Sequence, residues 1–210
     1  MSVPAAKPDL LVLVADRNTE AAVRGILSRE ESLGIRKPSC DIRRHPEQDS
    51  GCRVDGCEYL KTFVNQYERA ILIFDHEGCG DEKTLPQDLE ARLESDLAEA
   101  GWRDRSAVIV LAPELEIWVW SDSPHVDIEM GWAGRRPDLR AWLRAKGFLR
   151  QDQIKPARPK EAVEAALRLV RKPRSSTLYQ ALAQEVSLVK CKDRAFLKLK
   201  TTLQTWFPNA

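Results

Sequence analysis

Acidic residues close three apolar runs of this chain. The run LLVLV (residues 10 to 14) gives way to Ala15 and Asp16, AILIF (70 to 74) to Asp75, His76 and Glu77, and AVIVLA (107 to 112) to a segment carrying Glu114, Glu116 and Asp122. Asp75 and Glu77 stand two apart, so in extended chain their side chains leave on the same side while His76 leaves on the other. Two carboxylates placed this way offer hard oxygen ligands to one divalent cation, and Mg²⁺ is the natural candidate. Carboxylates gathered so closely repel one another unless a cation or a shared proton holds them.

The elements that must position these acids follow from hydrophobic pattern. None of the three runs alternates polar with apolar, so each reads as a strand buried on both faces, as in a parallel sheet covered by helices. Between them lie helical periodicities. Thr19 to Leu33 carries Ala22, Val23, Ile26 and Leu27 behind Asn18 or Thr19 as a cap; Cys57 to Tyr67 carries Leu60, Phe63, Val64 and Tyr67; Leu85 to Ala100 carries Leu89, Leu93 and Leu97 before Gly101. Strands alternating with helices predict an α/β fold, and ligands of such sheets bind beyond the carboxyl ends of the strands, where the acids sit. After a Pro- and Gly-broken stretch at 123–136 the chain reads as helical, over 138–145, 159–170, 177–186 and 194–206. The expected organisation is therefore an α/β domain at 1–130 and a mainly helical region at 131–210.

Composition narrows the function classes. Lys and Arg number 33 against 32 Asp and Glu, so net charge says nothing about nucleic acid, and any basic surface is local. The region 135–158 is such a surface, suited to a phosphate backbone if it lies beside an acidic site. No apolar run approaches a membrane span, and MSVPAAKPDLL lacks a basic region followed by a long apolar stretch, so the expectation is a cytoplasmic protein without membrane contact. Five cysteines form no framework spacing; Cys52 and Cys57, with Cys40 and His45 nearby, lack the paired spacing of a zinc site and read as free thiols. No P-loop, nucleophile elbow or dinucleotide-binding glycine motif is present.

Strand, acidic turn, helix, a strand ending in Asp75-x-Glu77-Gly78, and the segment PELEIWVWSD ending in Asp122 resemble the Toprim-like superfamily. More narrowly the chain is similar to small prokaryotic Toprim-related proteins of phage-defence loci, kin to overcoming-lysogenisation-defect nucleases and RloB-like proteins. RPKEAVEAALRLV and RAFLKLKTTLQTWFP match the helical tails of that group. The resemblance implies a Toprim-like parallel sheet, Mg²⁺- or Mn²⁺-dependent nuclease or phosphoryl-transfer chemistry, DNA or RNA as substrate, and other defence-system subunits as partners. It implies Asp75, Glu77 and Glu116 as metal ligands and Asp75 among the catalytic acids.

One departure stands out. The first Toprim motif carries Glu at the strand end; here that position is Ala15, and its role falls to Asp16 or Glu20. Asp16 also has the reading of a helix-capping acid. Glu116 lies in a segment that alternates like a strand yet matches a helix of the family. These substitutions leave a second expectation open, a catalytically degenerate Toprim-like subunit acting through protein contacts.

Overall fold

A computed structural model describes residues 7–209; the N-terminal stretch weighed above for a leader falls largely on residues 1–6, outside the described residues. Strands β1 (Leu10–Val14), β2 (Cys40–Arg44), β3 (Arg69–Asp75) and β4 (Ser106–Leu111) form one parallel sheet in the order β2-β1-β3-β4. The three apolar runs are β1, β3 and β4, and they bury both faces because helices cover both. Leu10, Val12, Val14, Ile71, Ile73, Ile109 and Leu111 face one layer; Leu11, Leu13, Ala70, Leu72, Phe74, Val108 and Val110 face the other.

The first layer holds α1 (Arg17–Leu27), α8 (Ser176–Glu185) and α9 (Arg194–Trp206), with α2 (Glu30–Leu33) following α1. The second holds α3 (Gln48–Lys61) and α4 (Pro86–Leu97). Helices α5 (Pro124–Glu129), α6 (Leu139–Ala145) and α7 (Pro159–Val170) connect the end of β4 to α8, and their apolar faces extend the same core that β1 and α1 begin. The α1 and α8 backbones meet at Gly25, where an added Cβ would lie 2.7 Å from both the Ala183 Cβ and the Gln180 carbonyl oxygen.

Four elements differ from the sequence pattern: the helix expected over Thr19 to Leu33 is divided into α1, capped by Asp16, and α2, helix α5 forms inside the stretch at 123–136 that lacks helical pattern, and β2 and α3 depart as follows. Strand β2, with sequence CDIRR, is half-exposed at the sheet edge, so its composition lacks the apolar run that betrays the central strands. Helix α3 begins nine residues before the expected Cys57 and ends at Lys61, leaving Phe63, Val64 and Tyr67 beyond it. It contains Gly51 and Gly56, which read as breakers; here an added Cβ at Gly51 would meet the His45 ring at 2.2 Å, and one at Gly56 the Leu72 side chain at 3.1 Å. Glycine in this helix serves close packing on the sheet. Among the described residues no helix is long and apolar enough to cross a membrane.

Candidate metal centre

Every strand of a parallel sheet delivers its C-terminal end to the same edge, so residues far apart in sequence converge there. Asp75 closes β3. Glu114 and Glu116 follow β4 on the turn into a short 3-10 helix, Leu115–Trp118. One carboxylate oxygen from each of these three residues lies within 4.8 Å of the other two. Asp75 is half-buried, and Glu114 and Glu116 are almost fully buried, at 5% and 1% exposure.

Backbone donors fix the cluster. The Leu115 N–H donates to Asp75 Oδ1 at 2.9 Å, and the Lys160 N–H, in the first turn of α7, donates to Glu114 Oε1 at 2.9 Å. Lys160 Nζ stands 3.7 Å from the other Glu114 oxygen. Glu116 accepts from Arg174 Nη2 at 2.6 Å and Nε at 3.1 Å, and from the Tyr179 hydroxyl. From α3, Asp49 Oδ1 accepts the Asp75 N–H at 2.8 Å.

Burial dominates the electrostatics, and the crowding of carboxylates adds to it. Burial, followed by the charges of Asp49, Glu116, Asp16 and Glu114, pushes the Asp75 carboxyl well above the ordinary aspartate range. Burial and the neighbouring Glu116 raise Glu114, an effect moderated by the Lys160 N–H and ammonium. Burial also raises Asp49, which the Asp75 N–H partly offsets. The donors are all carboxylate oxygens, a set that suits Mg²⁺ or Mn²⁺ and disfavours softer metals. Burial that penalises charge on Asp75 is the condition under which a cation relieves the most repulsion.

The structure places the remaining sequence candidates as follows. Asp16 caps α1: its Oδ1 accepts from the Thr19 N–H and hydroxyl, each at 2.8 Å, while its charge still reaches Asp75. Glu20 pairs with Arg24 at 2.8 Å and Arg44 at 3.1 Å on the α1 surface. Glu77 is exposed; its own N–H donates to the Pro113 carbonyl at 2.8 Å, and its side chain stands outside the group of three close oxygens. Asp122 is exposed beside Lys190. His76 Nε2 lies 2.9 Å from the Thr84 carbonyl oxygen.

Two open clefts flank the acids. One, of about 520 Å³, is lined by Asp49, Glu77, Gly78, Glu114, Arg158 and Lys160; the other, of about 730 Å³, by Asp16, Arg17, Glu20, Arg43, Arg44 and His45. Pro46 and Gln48 border both. Of the basic residues in the region 135–158, only Arg158 lines either cleft. Arg140 donates to the Ser121 carbonyl at 2.9 Å and to that of Ile154, Lys155 donates to that of Ile117 at 2.8 Å, and Arg135 stacks on Trp132. The indoles of Trp120 and Trp132 donate to the buried Pro159 and Ala166 carbonyls at 3.1 and 3.2 Å, a packing role.

Asp49 was invisible as a candidate because β2, which delivers the chain to it, was invisible. The usable signal is positional: an acid follows every strand within a few residues, and Glu114 follows β4 more closely than Glu116 does. Compared with models of protein families, with curated proteins and with solved structures, the chain matches none of them.

Proposed function

We propose that the chain is a Mg²⁺- or Mn²⁺-dependent phosphoryl-transfer protein, a Toprim-like nuclease of a prokaryotic anti-phage system acting on DNA or RNA. The observation that carries this reading is the convergence of Asp75, Glu114 and Glu116, ligand atoms within 4.8 Å, at the carboxyl edge of a parallel sheet. A divalent cation bound there would supply Lewis-acid stabilisation of charge on a phosphate oxygen.

The chain's own residues do the rest. Leu115 and Lys160 hold the Asp75 and Glu114 carboxylates through backbone N–H groups, so ligand geometry is set by the main chain instead of by mobile side chains. Lys160 and Arg158 border the cleft above Glu114 and orient an anionic substrate. Arg17 and Arg44 border the cleft on the Asp16 side and offer the same attraction to the continuing backbone. Asp16 takes the place of the acid missing at Ala15, with one oxygen committed to the helix cap and its charge directed at Asp75.

A second reading, a catalytically degenerate subunit working through protein contacts, is favoured by one feature. Glu116 is already neutralised by Arg174 and hydrogen-bonded by Tyr179, an arrangement that holds a buried carboxylate without any metal.

The experiment is a nuclease assay on single-stranded and duplex DNA and RNA with Mn²⁺, using wild type, Asp75→Asn and Ala15→Glu. The phosphoryl-transfer reading expects wild-type cleavage and a loss of at least about a hundredfold in Asp75→Asn. The degenerate reading expects no cleavage by wild type, with a gain in Ala15→Glu. Cleavage equal in wild type and Asp75→Asn overturns the site.

A further inference from the structure

The two edges of the sheet are treated differently. At β4 the outer backbone is sealed by side chains: Glu94 accepts the Val108 N–H at 2.9 Å, Glu90 accepts the Val110 N–H at 2.8 Å, and Arg194 donates to the Val110 carbonyl at 2.8 Å. Lys198 joins Glu90 and Glu94 at 3.1 and 2.7 Å, so two helices lock that edge. At β2 no such cover exists among the described residues. Leu10 takes the Ser39 carbonyl and His45 donates to the Val14 carbonyl, so the backbones of Asp41 and Arg43 also point toward β1. The N–H and C=O groups of Cys40, Ile42 and Arg44 therefore point outward, and none has a partner among the described residues.

We propose that this edge pairs with the β2 edge of a second copy of the chain, antiparallel about a two-fold axis through Ile42. In that register Ile42 faces Ile42 of the other copy as a hydrogen-bonded pair, and Cys40 faces Arg44 as a second and third, which uses every outward backbone group. Asp41 then faces Arg43 twice, once on each side of the axis, in the closely spaced non-hydrogen-bonded positions where opposite charges attract best. Slipping the pair by two residues sets Arg43 against Arg43 or Asp41 against Asp41, so charge selects the one register. Both side chains are held in place beforehand: the Tyr67 hydroxyl donates to Asp41 Oδ2 at 2.6 Å, and the Arg43 guanidinium lies over the Phe63 ring at 4.7 Å. Charged residues on an edge strand ordinarily repel a stray partner; here the same charges reject other strands and accept this one. The product is a continuous eight-stranded sheet with the two acidic edges at opposite ends, independent of whether those edges bind metal.

Sedimentation equilibrium of the full chain up to about 100 µM tests this, a range that captures micromolar association. The expected species is twice 23.8 kDa. Ile42→Pro removes only an outward N–H, which an edge strand tolerates, and is expected to yield a monomer with unchanged circular dichroism. Asp41→Arg and Arg43→Asp, each of which places like charges opposite at two points, are expected to weaken the dimer at least about tenfold, and the double exchange Asp41→Arg/Arg43→Asp to restore it to within about threefold of wild type. A monomeric wild type, a dimer unaffected by the single reversals, or a double exchange as weak as either single overturns the proposal, whether or not Ile42→Pro folds.

Discussion

Asp75 meets conflicting demands. Its backbone N–H is bound by Asp49, its carboxylate is bound by Leu115, and four other acids press on it. Because the folded state holds the Asp75 proton more tightly than the unfolded chain does, raising the pH removes stability. The contribution is intact below the ordinary aspartate value of 3.8 and declines as pH rises toward the elevated folded value. Without divalent cation, Asp75→Asn is thus expected to melt at a higher temperature than wild type near neutrality. The gap should close as pH falls below about 4, where both states carry a protonated Asp75. Thermal melts from acid to neutral pH check this, and a gap of opposite sign would contradict it.

Asp16 separates two roles that the sequence left superposed. As a cap it accepts the Thr19 hydrogen bonds; as a site acid it supplies charge. Asp16→Ala should cost about 1 kcal/mol through loss of the Thr19 contacts, whereas Asp16→Asn should cost only a few tenths, because Asn caps as well. If the proposed nuclease reading holds and charge is the functional quantity, both variants lose cleavage although only one loses stability. Chemical denaturation alongside the assay distinguishes the two.

At the level of elements, legibility follows burial. β1, β3 and β4 were readable because a strand covered on both faces must be apolar throughout, and α7 and α9 because their amphipathic periods run uninterrupted from end to end. β2 was not readable: with one neighbour and an open edge it needs no apolar run. The start of α3 was hidden by Gly51 and Gly56, whose purpose is visible only from the His45 ring and Leu72 side chain they approach. Gly25 carries the same lesson inside α1. Gly25→Ala, favourable for an isolated helix, should instead destabilise the protein by about 1–3 kcal/mol, because its Cβ would strike the α8 backbone. Urea denaturation reads the sign directly.

For the whole molecule, the parallel topology explains how acids separated by up to a hundred residues form one group, and why the candidate site was only partly legible. The sequence placed acids at three strand ends, which located the edge; which oxygens meet depends on the turn after β4. There Glu114, at the cap of the 3-10 helix, and Glu116, inside it, both come within reach of Asp75, while Glu77 turns to solvent. The helices after residue 130 take part in the site. Lys160 and Arg174 fix Glu114 and Glu116 from α7 and from the turn before α8, so the acidic group depends on this part of the chain for its charge balance. Arg174→Leu, which leaves a buried Glu116 with only Tyr179, should cost about 3 kcal/mol by the usual penalty of an orphaned buried charge.

The central claim is that Asp75, Glu114 and Glu116 together hold a divalent cation, and the most direct measurement is the melting temperature as Mn²⁺ or Mg²⁺ is added to wild type and to Asp75→Asn/Glu114→Gln. A ligand that binds only the folded state at about a hundred times its Kd adds about 2.7 kcal/mol, which for a chain of this size raises the midpoint by about 5–10 °C. The account predicts that rise in wild type, increasing with pH as the carboxyls ionise, and its absence in the double variant. A wild type indifferent to millimolar cation, or a double variant that shifts as much as wild type, would contradict it.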